Sequence, residues 1–428
     1  MLSLRPLSGV LFALALPIFL TSAPATALAA ATNPVVQVEQ LVEEILQRNP
    51  ELDFYRAEIA AAKAGQRTAR QWSNPEFTAE LGSKRVWERH GPALGDGVAW
   101  SVSVSQTFEW PGRLALRKAI ANRQVELAQL GLSHFRNQLA ARVRATARVA
   151  FAAQQRVDVL EEIGQRLESL LAVLVQREAA GVTPVLDQRI LEAQRLGLEQ
   201  RAHENRQERD LALIELNQWR GLPADTPLRL SANWQLVTNV PPLPQLMYWA
   251  LSNSFELRLR QVELAQQGFQ VELARHERYP TIKVGPYYSA ESAQDTERIV
   301  GVAVSLPLPL WNKNEGAIEA ARARQMQAEA SLRMLQLELE KQVARHALAL
   351  RQQLQYLNRY PPETMEAFRK AADLADEHYR LGAVPVTLYV EMQMKYLEAY
   401  EAMLTARQQA MEHQLQLEAL LGRPLNGL

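Results

Sequence analysis

Two kinds of hydrophobic period alternate along this chain. After Pro75, the apolar Phe77, Ala79 and Leu81 alternate with Thr78, Glu80 and Gly82, and Trp100, Val102, Val104, Gln106 and Phe108 alternate with Ser101, Ser103, Ser105 and Thr107. A second such pair follows. Ile282, Val284, Pro286 and Tyr288 alternate with Thr281, Lys283, Gly285 and Tyr287, then Val300, Val302, Val304 and Leu306 with Gly301, Ala303 and Ser305. A period of two predicts strands, so hairpins are expected at about 75–108 and about 280–308. Around them the period lengthens. The stretch from Val35 to Gln71, rich in Ala, Glu and Arg, reads as helix, with Pro50 placed to split it. No proline occurs from Leu114 to about Ala179, and Val143, Thr146, Ala150, Ala153, Val157, Leu160, Gly164, Leu167, Leu171 and Leu174 form a heptad seam. Such a helix is roughly 100 Å long.

This grammar of helix, two strands, long helix, tight break and helix occurs twice. Gly181-Val182-Thr183-Pro184-Val185 resembles Gly382-Ala383-Val384-Pro385-Val386, and Gly221-Leu222-Pro223 meets Gly422-Arg423-Pro424. Glu51-Leu52 meets Glu256-Leu257, and Arg113 meets Lys313, in every case about 200 residues apart. The order of Gly, Pro and strand landmarks predicts a first repeat over 31–221, a linker over 222–244 and a second repeat over 245–428. In the second repeat a long helix is expected from about Gly316 to Leu381, kinked or broken by Pro361-Pro362. A last helix follows from about Pro385, with a seam at Leu388, Met392, Lys395, Ala399, Ala402, Ala406 and His413.

The first 30 residues change the picture. Arg5, an apolar run from Val10 to Leu20 interrupted by Pro17, and Ala27-Leu28-Ala29 predict a secretory signal peptide over 1–30. No later stretch reaches the ~18 apolar residues of a spanning helix. The strands, each about ten residues, are long enough to cross a bilayer at a tilt. Their one apolar and one polar or small face suits a barrel with lipid outside and water inside. Alternation alone favours two hairpins packed on a soluble core; export and the placement of each hairpin between very long helices reverse that order in favour of the membrane. Four strands do not close a membrane barrel. Either several chains contribute to one barrel, or the hairpins are not transmembrane.

Charge and chemistry mostly exclude. Lys+Arg and Asp+Glu are both 47, for a formal net charge of zero, unlike a nucleic-acid protein. The absence of cysteine excludes disulfides, thiolate metal sites, a thiol nucleophile and a lipid anchor on an N-terminal Cys. No H-E-x-x-H, G-x-S-x-G or Walker A segment is present, so no catalytic residue, cofactor or metal site is expected. The histidines, His90, His134, His203, His276, His346, His378 and His413, include no helical i, i+3 or i, i+4 pair. Met392 and Met394 stand two apart and do not share a helix face.

The Asn74-Pro75 strand start, Phe108-Glu109-Trp110-Pro111-Gly112-Arg113 after the second strand, and the Gly-x-x-Pro breaks, in their two-copy order, resemble the TolC outer-membrane efflux family. Within it the chain is most similar to the CzcC-type heavy-metal efflux branch. The resemblance covers about residues 35–425. It implies an α+β membrane protein with two structural repeats. Four transmembrane β-strands per chain would form a trimeric 12-stranded barrel, continued by a long periplasmic α-helical coiled-coil barrel. The implied partners are two further copies in a homotrimer, outer-membrane lipid, a periplasmic adaptor (membrane fusion protein) and an inner-membrane resistance-nodulation-division pump. The implied function is a passive conduit of a tripartite efflux system, exporting heavy-metal cations.

The same resemblance assigns residues. Gly181, Val182 and Thr183, with Gly382, Ala383 and Val384, correspond to periplasmic tips that dock the adaptor. Glu391 falls at a position where such channels narrow at an acidic ring. The neighbouring acidic position is Leu388 here, and its first-repeat equivalent, Asp187, is the second candidate. Each has a plainer reading: glycine C-caps, and solvated carboxylates on a helix face. Trp87, Trp100 and Trp110 are either core or markers of the membrane interfaces. Two other functions remain open: the duct of a type I protein-secretion or multidrug efflux system, and, from another class, a periplasmic coiled-coil adaptor or structural protein.

Overall fold

The computed structural model describes residues 35–425 other than 88–90, 92, 179–184, 232–235 and 294. The expected signal peptide lies outside the described residues. Four strands, β2 (Glu76–Trp87), β3 (Ala93–Phe108), β5 (Ile282–Ser292) and β6 (Thr296–Ser305), form one antiparallel sheet in the order β2-β3-β5-β6. Its two edges are β2 and β6. A short parallel pair joins β1 (Val35–Gln37) to β4 (Arg229–Ser231). The stretch expected as a linker therefore contains a strand, whose three residues are too few to show a period.

Register gives the main sheet two unlike faces. Residues directly opposed across strands lie on one side. Phe77 opposes Val104, Ala79 opposes Val102 and Leu81 opposes Trp100; across the next pairs, Val102 opposes Tyr288, and Pro286 opposes Val302. Toward the helix end this side is apolar across all four strands, and among the described residues nothing covers it: Phe77, Leu81 and Val300 are 69%, 81% and 79% exposed, while the Arg85–Asp96 ion pair stands on the same side nearer the far end. The other side carries charge. Lys84 pairs with Glu291 at 2.7 Å and Lys283 with Glu76 at 2.7 Å. Both pairs reach from β2 to β5 across β3, which is small where they cross, at Gly97, Ala99 and Ser105.

The helices begin where the strands end. Trp110 stacks on Tyr279 with centroids 4.6 Å apart, and Trp72 meets Phe108 edge-on at 6.1 Å, all at the helix-side end of the sheet. Trp100 instead lies midway along β3, against Tyr288. At the same end, the buried Arg113 guanidinium donates to the His276 carbonyl at 3.1 and 2.9 Å and to the Tyr279 carbonyl. It ties the start of α3 (Arg113–Glu178) to the end of α6 (Phe255–His276).

The first half contributes α1 (Val38–Arg48), α2 (Glu51–Thr68), α3 and α4 (Val185–Arg220). The second contributes α5 (Leu243–Asn253), α6, α7 (Glu315–Arg359), α8 (Pro362–Arg380) and α9 (Val386–Leu421). The same packing occurs twice. Leu41 and Ile45 of α1 bury against Val143 of α3 and Leu216 of α4. Leu246 and Ala250 of α5 bury against Val343 of α7 and Leu417 of α9.

The second long helix is two helices, for the reason the prolines supply. Tyr360, which precedes Pro361, leaves the helical region at φ −120°, ψ 82°. Pro362 then occupies the first turn of α8, where its missing N–H is tolerated.

The seams differ from expectation in instructive ways. On α3, Val143, Ala150, Ala153, Val157, Leu160, Leu167 and Leu174 are buried as expected. Ala147, Ile163 and Leu170 take the buried places expected for Thr146, Gly164 and Leu171, which are half-buried. On α9 the expected seam is wrong for Leu388, Lys395 and Ala402, which are exposed. The buried stripe instead includes Val386, Tyr389, Val390, Gln393, Tyr396 and Leu397. This helix packs against α3, α4, α5, α7 and α8. Its buried face is therefore broader than the narrow stripe of a two-helix seam.

Close approach fixes where β3 and β5 meet. A Cβ on Gly285 would stand 1.9 Å from the Val104 carbonyl oxygen, which is backbone and has nowhere to go. Gly285→Val is expected to part the two hairpins at a cost on the order of 3 kcal/mol, the upper range for overpacking. Semi-native gel migration of membrane extracts checks this: the variant should lose its heat-modifiable folded form, whereas Gly65→Ala, with open space around it, should keep it.

Candidate functional site

The turn between α8 and α9 is built by one left-handed residue. Gly382 has φ +73°. Its N–H donates to the Tyr379 carbonyl at 2.9 Å, and the Ala383 N–H donates to the His378 carbonyl at 2.8 Å. These two bonds are a Schellman cap, which satisfies carbonyls the helix end leaves open. Pro385 then leads into α9 from an extended conformation. Leu381, Gly382 and Ala383 are exposed and Val384 is half-buried. Val185 and Leu186, at the start of α4, are also exposed. Val185 is therefore unlike its second-repeat counterpart Val386, which is buried.

Directly inside this turn the packing is dense and charged. Tyr389 is fully buried and stacks on Tyr379 with centroids 5.4 Å apart. Burial first, and then the nearby Asp376 carboxylate, push the Tyr389 hydroxyl well above its ordinary value. Arg166 of α3 bonds Asp373 of α8 at 2.6 Å and Glu162 at 2.7 Å. Burial opposes the Arg166 charge, but these carboxylates outweigh it and hold its pKa up. Arg201 of α4 reaches Glu401 of α9 at 2.6 Å. The Arg166–Asp373 and Arg201–Glu401 pairs join residues about 200 positions apart, so no local pattern in the sequence announced them.

The residues singled out above fall as follows. Gly181, Val182 and Thr183 lie outside the described residues. Gly382, Ala383 and Val384 form the turn just described. Asp187 is half-buried in the first turn of α4, where a carboxylate favours the helix dipole. Glu391 is exposed on the second turn of α9, and its charge helps raise the pKa of Lys395, behind the larger effect of the Glu398 hydrogen bond. Leu191 of α4 shares a buried cluster with Val386, Tyr389 and Val390 of α9, so both acidic residues belong to the same end of the helical body. Among the described residues, no group of three or more His, Asp or Glu side chains is arranged to hold a metal.

A family model described as outer membrane efflux protein matches residues 41–221 and 246–423. The chain belongs to the outer membrane efflux protein family. Its fold is that of solved members of this class. The structure of CusC, described in terms of transmembrane channel formation, is 15% identical over 91% of this chain and 93% of its own, with a TM-score of 0.72. The Campylobacter jejuni CmeC outer membrane channel is 13% identical over 90% and 85%, with a TM-score of 0.72. The Vibrio cholerae outer membrane protein VceC is 17% identical over 91% and 97%, with a TM-score of 0.71. No curated protein matches the chain in sequence. Membership makes this efflux protein an outer-membrane channel component with a helical body in the periplasm, and not an enzyme.

The turn geometry sets a test. A side chain at Gly382 meets no atom within 4 Å, so its cost comes from the positive φ alone. Gly382→Val is expected to lose about 1–2 kcal/mol locally while the protein still reaches the outer membrane in normal amount. Export activity should fall sharply, and Gly382→Asn, which tolerates this conformation better, should retain more. Fractionation with a resistance assay checks both; full activity in the Val variant would place the working surface elsewhere.

Proposed function

We propose that this efflux protein works as a homotrimer whose sheets close a twelve-stranded barrel in outer-membrane lipid, and that it forms the exit duct of a tripartite heavy-metal efflux system. The observation that carries the assembly is the four-stranded sheet with an exposed apolar face and two edges, β2 and β6, that bond no further strand among the described residues. Unpaired backbone edges are not tolerated in hydrocarbon, and β6 of one copy against β2 of the next removes every edge at once. The charged inner side, with Lys84 and Glu291, then lines water. In this reading the residues of 31–221 and 245–428 are two repeats, so three chains present six similar units around one axis.

The turn at Gly382, Ala383 and Val384, and the corresponding segment Gly181, Val182 and Thr183, dock a periplasmic adaptor. That adaptor couples the duct to an inner-membrane pump of the resistance-nodulation-division class. Support for these partners and for a metal cargo comes from the resemblance to the CzcC-type branch, carried by Phe108-Glu109-Trp110-Pro111-Gly112-Arg113 and the two Gly-x-x-Pro breaks. Glu391, brought to the axis in three copies, makes a ring of like charge that favours cations, and the low dielectric of the walls focuses the effect.

Two measurements test this. Native mass determination in detergent should give three chains per particle; a stable monomer would remove the barrel argument. In planar bilayers, Glu391→Gln should lower the cation-to-anion permeability ratio roughly several-fold without loss of trimer. Asp187→Asn, already explained by the helix dipole, should change it less. A ratio unchanged in both variants would sink the acidic constriction. Complementation of an efflux-deficient strain decides the cargo, because restored tolerance to drugs but not to divalent metals would assign the duct to a different pump.

A further inference from the structure

Two of the histidines that the sequence leaves scattered meet in the fold. His346 lies on α7 and His413 on α9, and their Nδ1 atoms are 3.3 Å apart, with ring centroids 5.4 Å apart. They sit on the packed interface of these helices, beside Val343, Ala347 and Leu350 on one and Ala410 and Leu417 on the other. Both rings are half-buried, so they are held by packing yet remain within reach of solvent.

The separation is informative. Zinc-to-imidazole bonds are about 2.0–2.1 Å, and at a tetrahedral angle two such nitrogens stand about 3.3–3.4 Å apart. As the rings stand, this contact is a hydrogen bond between them; turning each ring about its own bond aims both lone pairs at a point about 2 Å from either nitrogen, with the separation between the nitrogens kept. We propose that His346 and His413 form a two-imidazole site for a divalent transition metal, Zn(II) or Cu(II), with water completing the coordination. Imidazole suits these ions and not Mg(II) or Ca(II), which take oxygen ligands.

Bound there, the ion clamps α7 to α9 and restrains the helical wall. Burial, and then the adjacent His413 ring, hold His346 toward its neutral form, which is the ligating form. The charges nearest to it are Arg345 on α7, which disfavours a cation, and Glu412 on α9, which favours one. With only two protein ligands the affinity should be modest, in the range of a reversible site rather than a permanent structural one. The site rests on the α7–α9 packing alone, so it stands or falls independently of the cargo proposed above.

The test uses the purified full-length protein in detergent, stripped with chelator and titrated calorimetrically with ZnCl2 and separately with CuSO4. One ion per chain is expected. His346→Gln and His413→Gln should each weaken binding by at least about tenfold, the lower bound seen when even an outer-shell partner of a metal ligand is removed. His134→Gln, whose ring bonds Gln138 on its own helix, should bind as the parent does. Zn(II) should also raise the thermal midpoint of the parent and leave that of the two variants unmoved, while MgCl2 moves none of them. The proposal is overturned if the parent binds no ion, or if binding and thermal shift survive both substitutions unchanged. Gel migration shows whether each variant is folded; should one glutamine variant fail to assemble, the other and His413→Asn carry the comparison.

Discussion

Pairing of β3 with β5 joins two hairpins, each too small to stand alone, into one sheet, and the rest of the architecture is arranged around that contact. It brings together residues nearly two hundred positions apart, from Val98 opposite Ser292 to Phe108 opposite Ile282. Glycine at 285 lets the backbones approach at the Val104 carbonyl. Without this register the apolar sides of the hairpins would not be continuous, and the charged pairs from β2 to β5 would have no small strand to cross. Arg113 extends the same join into the helices. Its guanidinium satisfies carbonyls at the end of α6, so the first strand pair and the second helix set are held to one another at their common end. Hydrogen bonds from a charged donor are worth about 1.5–3 kcal/mol each, and Arg113 makes three while buried.

Much of this was legible in the sequence because it depends on local periods. Alternation over 77–82, 100–108, 281–288 and 300–306 is strong, since there each strand has one apolar side and one kept polar or small; it fades toward the far ends, where Arg85, Asp96 and Arg298 stand on the otherwise apolar side. The breaks at Pro50, Pro361-Pro362 and Gly382 are equally local, being set by a ring or by a missing Cβ. The α9 seam was misread for a physical reason. A two-helix seam needs one narrow stripe, but α9 packs against five other helices, so Tyr389, Gln393 and Tyr396 are buried along with Leu397. Pairs such as Arg166 with Asp373, and His346 with His413, were invisible because nothing in a linear pattern reports which faces of two distant helices meet.

The ionisable groups that do shift are explained by packing: Glu39 is held down by its bidentate Arg144 partner, and Tyr396 and Tyr400 are pushed up by burial. Glu39 and Arg144 join two helices of the first half, whereas Tyr396 and Tyr400 of α9 face carboxylates of α3 from the other half. The polar investment is in joining surfaces, and the apolar investment in the sheet is turned outward.

The two acidic candidates for a constriction can be separated on the same grounds. Asp187 has a structural occupation already: in the first turn of α4 its charge meets the positive end of the helix dipole, an interaction worth about 0.3–1 kcal/mol. Its presence there requires no pore. Glu391 lies a full turn inside α9, beyond the reach of that dipole, and Lys395, one turn on, makes its close ion pair with Glu398 instead, at 2.9 Å. Glu391 is exposed, it acts on Lys395 only through its charge, and Leu388 and Met392 stand beside it on the same helix face. Of the two, Glu391 is therefore the one proposed for the constriction, because the helix dipole does not already account for its charge.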